Sequence, residues 1–179
     1  MWEGWCCIRR KSQRGQALAE LAFQIPLLMA ILFGAVEIGR VFYVYHTLQK
    51  ALRGGAGLLA RSSNVEYCNA SDLTIADARN FIVYGNLEGQ GPEIVRGLTP
   101  DMIQIFPERT GTDSTAVAAC VCSAGDPDPN GCDASSGGRS PDFVVVNLGT
   151  GFPLAVPFPF VNIGTFNLRV SVRMPVTGG

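Results

Sequence analysis

Histidine is almost missing from this chain, with His46 the only one among 179 residues. A site built on two histidines is therefore excluded, and His46 sits directly after a long apolar run rather than among acids or nucleophiles. The sequence also has no G-x-S-x-G elbow and no glycine-rich phosphate loop, and no pair of acids is marked out by spacing. We expect no enzyme, no bound cofactor and no metal. An excess of either charge is lacking too: 14 Lys and Arg against 15 Asp and Glu leave a formal net charge of −1. No global field draws such a chain to nucleic acid or to acidic substrates.

What the chain has in quantity is apolar surface, at 47% hydrophobic residues and a mean hydropathy of +0.20. Much of it is concentrated in one run, Leu18 to Ile38, reading LAELAFQIPLLMAILFGAVEI. As a helix, this run is roughly 30 Å long, the thickness of a bilayer core. Apolar residues occupy every face between Ala30 and Val36, where a surface helix of a soluble domain would show a polar stripe. The run predicts a membrane-spanning helix. A secretory signal peptide has the same general plan, but no small-x-small cleavage site followed by a polar start is present. Instead the helix pattern continues through Val41, Phe42, Tyr43, Val44 and Tyr45, with tyrosines suited to a membrane interface.

Charge placement gives the expected topology. Arg9, Arg10, Lys11 and Arg14 stand together just before the apolar run, whereas the next basic residues after it are Arg40, Lys50 and Arg53. By the positive-inside rule the N-terminus is cytoplasmic and the C-terminal part lies outside. Two acids fall at or near membrane depth, where a charge costs about 3 kcal/mol on insertion scales. Glu37 has Arg40 three residues on and on the same helix face, which makes an ion pair the expectation. Glu20 has no such partner. It either rests in the inner headgroup region, favoured by the helix dipole, or has a function that requires an acid there.

The string Arg14-Gly15-Gln16-Ala17-Leu18-Ala19-Glu20 ahead of an apolar helix resembles the processing site of type IV prepilins. More narrowly, residues 15–57 resemble the TadE-like family, minor pilin-like proteins of the tight-adherence (Flp) pilus system. The residues that carry the likeness are Glu20, Pro26, the Gly34-x-x-Glu37-x-Gly39-Arg40 stretch and the alanine- and glycine-rich helix end. Fainter likeness continues in Asp77-Ala78-Arg79-Asn80, Tyr84-Gly85 and the strand from Asn167 to Pro175. The resemblance implies that a membrane prepilin peptidase cuts between Gly15 and Gln16, leaving Glu20 as fifth residue of the mature chain. It implies further that Glu20 acts in assembly, neutralising the new α-amine of an adjacent subunit as membrane helices pack together. One departure stands out: major Flp pilins carry a tyrosine after the glutamate and are very short, whereas this chain has Leu21 and a large C-terminal part. That argues for a minor subunit. The implied partners are the membrane, other pilin-like subunits, the peptidase and the Tad assembly machinery, in a bacterial inner membrane.

Beyond Tyr45 the helical pattern persists through His46, Leu48, Leu52 and Leu59, interrupted by Gly54, Gly55 and Gly57. Those glycines permit close packing or mark the helix end, and the sequence alone leaves both open. A second helix is expected from Asp72 to Gly85, with Gly85 as its C-cap. β-Prone runs follow at Met102–Phe106, Ala116–Val121, Phe143–Leu148 and Asn167–Met174, and the last alternates apolar with polar residues. Phe152 to Phe160, with three prolines, reads as an apolar loop that touches a membrane or partner, or covers a sheet edge. The fold class expected is α+β, a transmembrane helix continuing into an extracytoplasmic domain with a small antiparallel sheet packed on helix. The expected segments are a leader over 1–15, the long helix over 16–61 and the external domain over 62–179.

Cysteines divide along the same line. Cys6 and Cys7 precede the apolar run; Cys68, Cys120, Cys122 and Cys132 follow it and can pair in an oxidising compartment. Cys120 and Cys122 point to one face of a strand, so we expect Cys68 to join one of them and Cys132 the other. Zinc is the poorer alternative, since C-x-C with no nearby histidine lacks the usual ligand set. Asp126-Pro-Asp128-Pro-Asn130-Gly131 imitates half of a calcium loop, but the position of its bidentate glutamate is Gly137. Two readings of function result: a minor pilin or pseudopilin, or a membrane-anchored periplasmic binding module that never polymerises.

Overall fold

A computed structural model describes residues 14–63, 65–69, 71–110, 117–120, 132, 140–158 and 161–177. Arg9 to Lys11, Cys6, Cys7, Cys122, Asp126 to Gly131 and Gly137 lie outside the described residues. The chain is α+β, with two α-helices, one 3-10 turn and six strands among the described residues. It divides into two compact units, one holding the chain up to Arg40 with Val156–Gly164, the other Val41–Ala155 with Thr165–Gly179.

Helix α1, Arg14–Arg61, is 48 residues long and contains Pro26. Its residues change character along its length. Up to Arg40 most described side chains are apolar and none is buried; from Val41 a stripe appears, with Val41, Val44 and Tyr45 half-buried and Leu48, Leu52, Ala56 and Leu59 fully buried. Steps of three and four keep that stripe on one side of the helix. The glycines do not end α1. A Cβ on Gly54 would lie 2.7 Å from Phe81 Cε1, and one on Gly55 would fall on Ile82 and within 3.2 Å of the Ala78 carbonyl. Bare backbone at 54 and 55 is what lets the second helix cross α1, so of the two uses left open by the sequence, packing is the one realised.

That second helix, α2, runs Leu73–Tyr84 between Asp72 and Gly85. The Asp72 carboxylate accepts from Thr74 N at 2.8 Å and Ile75 N at 3.2 Å, satisfying two amides that have no partner inside the helix. Gly85 closes the other end at φ 76°, and its N–H donates to the Phe81 carbonyl at 2.9 Å. The buried face is Ile75, Ala78, Ile82 and Val83, which leaves Leu73 80% exposed.

Strands β1 (Ile103–Thr110), β2 (Val117–Ala119), β3 (Phe143–Leu148) and β6 (Ser171–Pro175) form a four-stranded sheet in the order β2-β1-β3-β6, antiparallel throughout. Register places Ile103 opposite Leu148 and Val146 opposite Val172, so the side chains on one face are apolar and buried together with α1 and α2. On the other face Arg173 Nε lies 2.9 Å from Glu108 Oε2 and its guanidinium sits 4.0 Å over the Phe143 ring. The Thr177 amide donates to the Ala60 carbonyl at 2.7 Å and ties the strand's far end to α1.

Two sequence expectations need correction. The single strand from Asn167 to Met174 is two: β5 (Val161–Leu168) ends before it, Arg169 and Val170 turn the chain, and β6 follows. Alternation continued smoothly across this break and concealed it. The Phe152 to Phe160 loop is largely strand β4, Phe152–Phe158, paired with β5 in a separate two-stranded sheet; Phe160 lies outside the described residues. Pro153 and Pro157, four residues apart, lack their donors on the same edge of β4, and a two-stranded ribbon leaves one edge of each strand without a partner. Phe152 and Leu154 enter the core.

Cys120 is disulfide-bonded to Cys132, and Cys68 is also in a disulfide. Cys120 directly follows β2, and its N–H donates to the Pro107 carbonyl at 3.0 Å.

A candidate assembly site on the apolar helix

The first half of α1 is unusual for a folded protein because, among the described residues, its apolar side chains are left largely exposed. Successive residues turn by about 100°, so Leu18, Leu21, Phe23 and Ile31 face different sides, yet they are 67%, 50%, 83% and 60% exposed. An 18-residue window of α1 has a mean hydropathy of 2.0 and no share of it buried. By length and composition α1 can cross a membrane. So broad an apolar surface has to be covered by lipid or by other helices.

At the start of this surface stand Gly15, Gln16 and Glu20. All three are exposed, and a Cβ added to Gly15 would meet nothing within 4 Å. Gln16 Nε2 donates to Glu20 Oε1 at 3.4 Å across one helical turn, the sole polar contact of Glu20 among the described residues. Glu20 is therefore an acid on an otherwise apolar cylinder, reachable from outside the chain. Seventeen residues on, Glu37 lies 3.4 Å from Arg40 Nη1, and neither side chain is deeply buried at 17% and 42% exposed. Past this pair an aromatic group closes the apolar half: the His46 ring lies 6.4 Å from Phe42, stacked, and 5.7 Å from Tyr45, edge-on.

Among the described residues no three His, Cys, Asp or Glu side chains come together. One titratable group outside the apolar half is shifted. Burial, and secondarily the Asp72 carboxylate, push the Tyr67 hydroxyl up to about 12 from an ordinary 10.0. That hydroxyl donates to the Leu59 carbonyl of α1 at 3.3 Å, a structural contact rather than a catalytic one.

Sequence reasoning passed over a groove at the C-terminal end of α1, between Arg53, Arg61, Phe81 and Met174. The signal available was the pair of arginines eight residues apart, hence on one side of a helix.

Fold and site together define a protein with a membrane-length helix that runs on into the core of an α+β domain. The family described as TadE-like protein matches residues 15–56, which takes in Gly15, Glu20, Pro26, the Glu37–Arg40 pair and the glycines at the α2 crossing. Comparison with curated proteins and with solved structures gives no match.

Proposed function

We propose that this chain is a minor pilin or pseudopilin that takes part in Flp/Tad-type pilus assembly, a structural role rather than a catalytic one. The observation that carries the reading is the coincidence of the TadE-like match over residues 15–56 with a helix whose apolar half is left exposed on several sides among the described residues. In this reading α1 crosses the inner membrane with its N-terminus in the cytoplasm, and the domain beyond Val41 is periplasmic. Prepilin peptidase cuts after Gly15 and frees the α-amine of Gln16. Neighbouring subunits pack along the apolar half of α1, and Glu20 of one meets the α-amine of the next. Inside a helix bundle an unpaired charge of either sign is heavily penalised, so the pair sets the register of packing.

Mass spectrometry of the N-terminus from native membranes tests the first step: the expected mature chain begins at Gln16, and a chain retaining Met1 overturns processing there. Glu20→Ala is expected to be processed normally yet to enter assembled pili poorly. Incorporation equal to that of the unaltered chain would remove Glu20 from the mechanism.

A further inference from the structure

The groove near the end of α1 encloses about 470 Å³ and is lined by Arg53, Gly57, Leu58 and Arg61 of α1 with Phe81 of α2 and Met174 of β6. Arg53, Gly57 and Arg61 follow at intervals of four and share one helix face. Both arginines are exposed, and among the described residues neither is held by an ion pair or hydrogen bond. Between them the floor is apolar: Leu58, Phe81 and Met174, each half-buried.

Gly57 is the telling residue. A Cβ on Gly54 or Gly55 would collide with α2, but one on Gly57 meets nothing nearer than Met174 Sδ at 3.8 Å. The chain's own packing does not require a glycine there, and a glycine inside a helix weakens it. What the bare position does provide is a floor low enough for atoms of another chain.

We propose that this groove binds a segment of a partner polypeptide that carries a carboxylate on either side of an apolar residue. The apolar residue would rest on Leu58, Phe81 and Met174 above Gly57, and the carboxylates would take charge-assisted hydrogen bonds from Arg53 and Arg61. Eight residues of helix separate the arginines by roughly 12 Å, a span covered by three to four residues of extended chain. Other occupants fit less well. A two-fold contact with the same face of a second copy would bring arginine against arginine, which like charge opposes. Anionic lipid is disfavoured because Arg53 follows Tyr45, the last of the interface tyrosines, by eight residues of α1, roughly 12 Å of helix. The inference does not depend on cleavage at Gly15 or on entry into a fibre.

The test places a photoreactive benzoyl-phenylalanine at Ser62, on the groove's rim, in the full-length chain in native membranes. Crosslinked peptides are then sequenced by mass spectrometry. The expected product is a polypeptide segment with Asp or Glu within four residues on both sides of the captured position. Its yield should fall at least tenfold with the pair Arg53→Glu and Arg61→Glu, and similarly with Gly57→Leu, which fills the floor. The charge reversals alter exposed side chains only, so their result stands even where Gly57→Leu disturbs the helix. Capture of lipid, of the same face of a second copy, of a segment without acids, or of nothing overturns the proposal, as does a yield unmoved by charge reversal.

Discussion

Three glycines within four positions of α1 have three different neighbourhoods, and substitutions should separate them. Gly55→Ala drives a methyl into Ile82 and the Ala78 carbonyl, overpacking that we expect to cost about 1–3 kcal/mol in denaturant unfolding. Gly57→Ala meets only Met174 Sδ at 3.8 Å and should instead stabilise by about 0.5–1 kcal/mol, the ordinary gain on removing a helical glycine. A loss at both positions would mean that close packing extends to Gly57 as well. Tyr67 supplies a pH dependence. Its neutral phenol is favoured in the fold, with the pKa raised to about 12 against an ordinary 10.0. Below pH 10 neither folded nor unfolded chain has ionised it, and its contribution is fully present. Above that the unfolded chain loses the proton first, so stability falls as the pH rises from 10 through 12. Tyr67→Phe should flatten this fall; an unchanged slope would assign it to other groups.

At the scale of elements, α2 depends on one side chain. Asp72 caps Thr74 and Ile75 and also accepts from the Glu66 amide at 3.3 Å. Asp72→Ala should cost about 1–2 kcal/mol, read as a lower unfolding midpoint with an unchanged slope. Both ends of α2 were legible in the sequence because Asp72 and Gly85 carry their conformational preferences with them. Phe143–Leu148 was legible for a related reason, since a run of valines with no breaker has few alternatives. The glycines of α1 were not, because whether glycine ends a helix or admits a neighbour depends on α2, which lies about 20 residues further along. Prolines misdirected the reading of β4: their cost depends on whether the missing donor faces a partner strand, and sequence does not reveal which edge that is. At the candidate site, Glu20 stood out as an acid at membrane depth, and Gly15 and Gln16 only through the resemblance to a prepilin processing site. The groove did not, since Met174 and Arg53 are brought together only by the fold.

For the molecule as a whole, α1 serves both of the compact units. A chain beginning at Val41 retains Leu48, Leu52, Ala56 and Leu59 and should unfold cooperatively in water without detergent. One beginning at Ser62 loses those residues from the core and should show no cooperative transition by circular dichroism. Equal behaviour of the two would mean that α1 contributes nothing to the fold. The four-stranded sheet has a further consequence. One of its borders is β2, three residues long and followed at once by the Cys120–Cys132 bond; the other is β6, five residues ending in Pro175. Borders this brief offer a visiting strand few backbone hydrogen bonds, and covalent closure beside one of them limits its lengthening. Proteins confined to a lipid surface meet their own copies often, and uncontrolled ribbon growth is a standing hazard for any that carry open strands. In the four-stranded sheet that hazard is met by brevity.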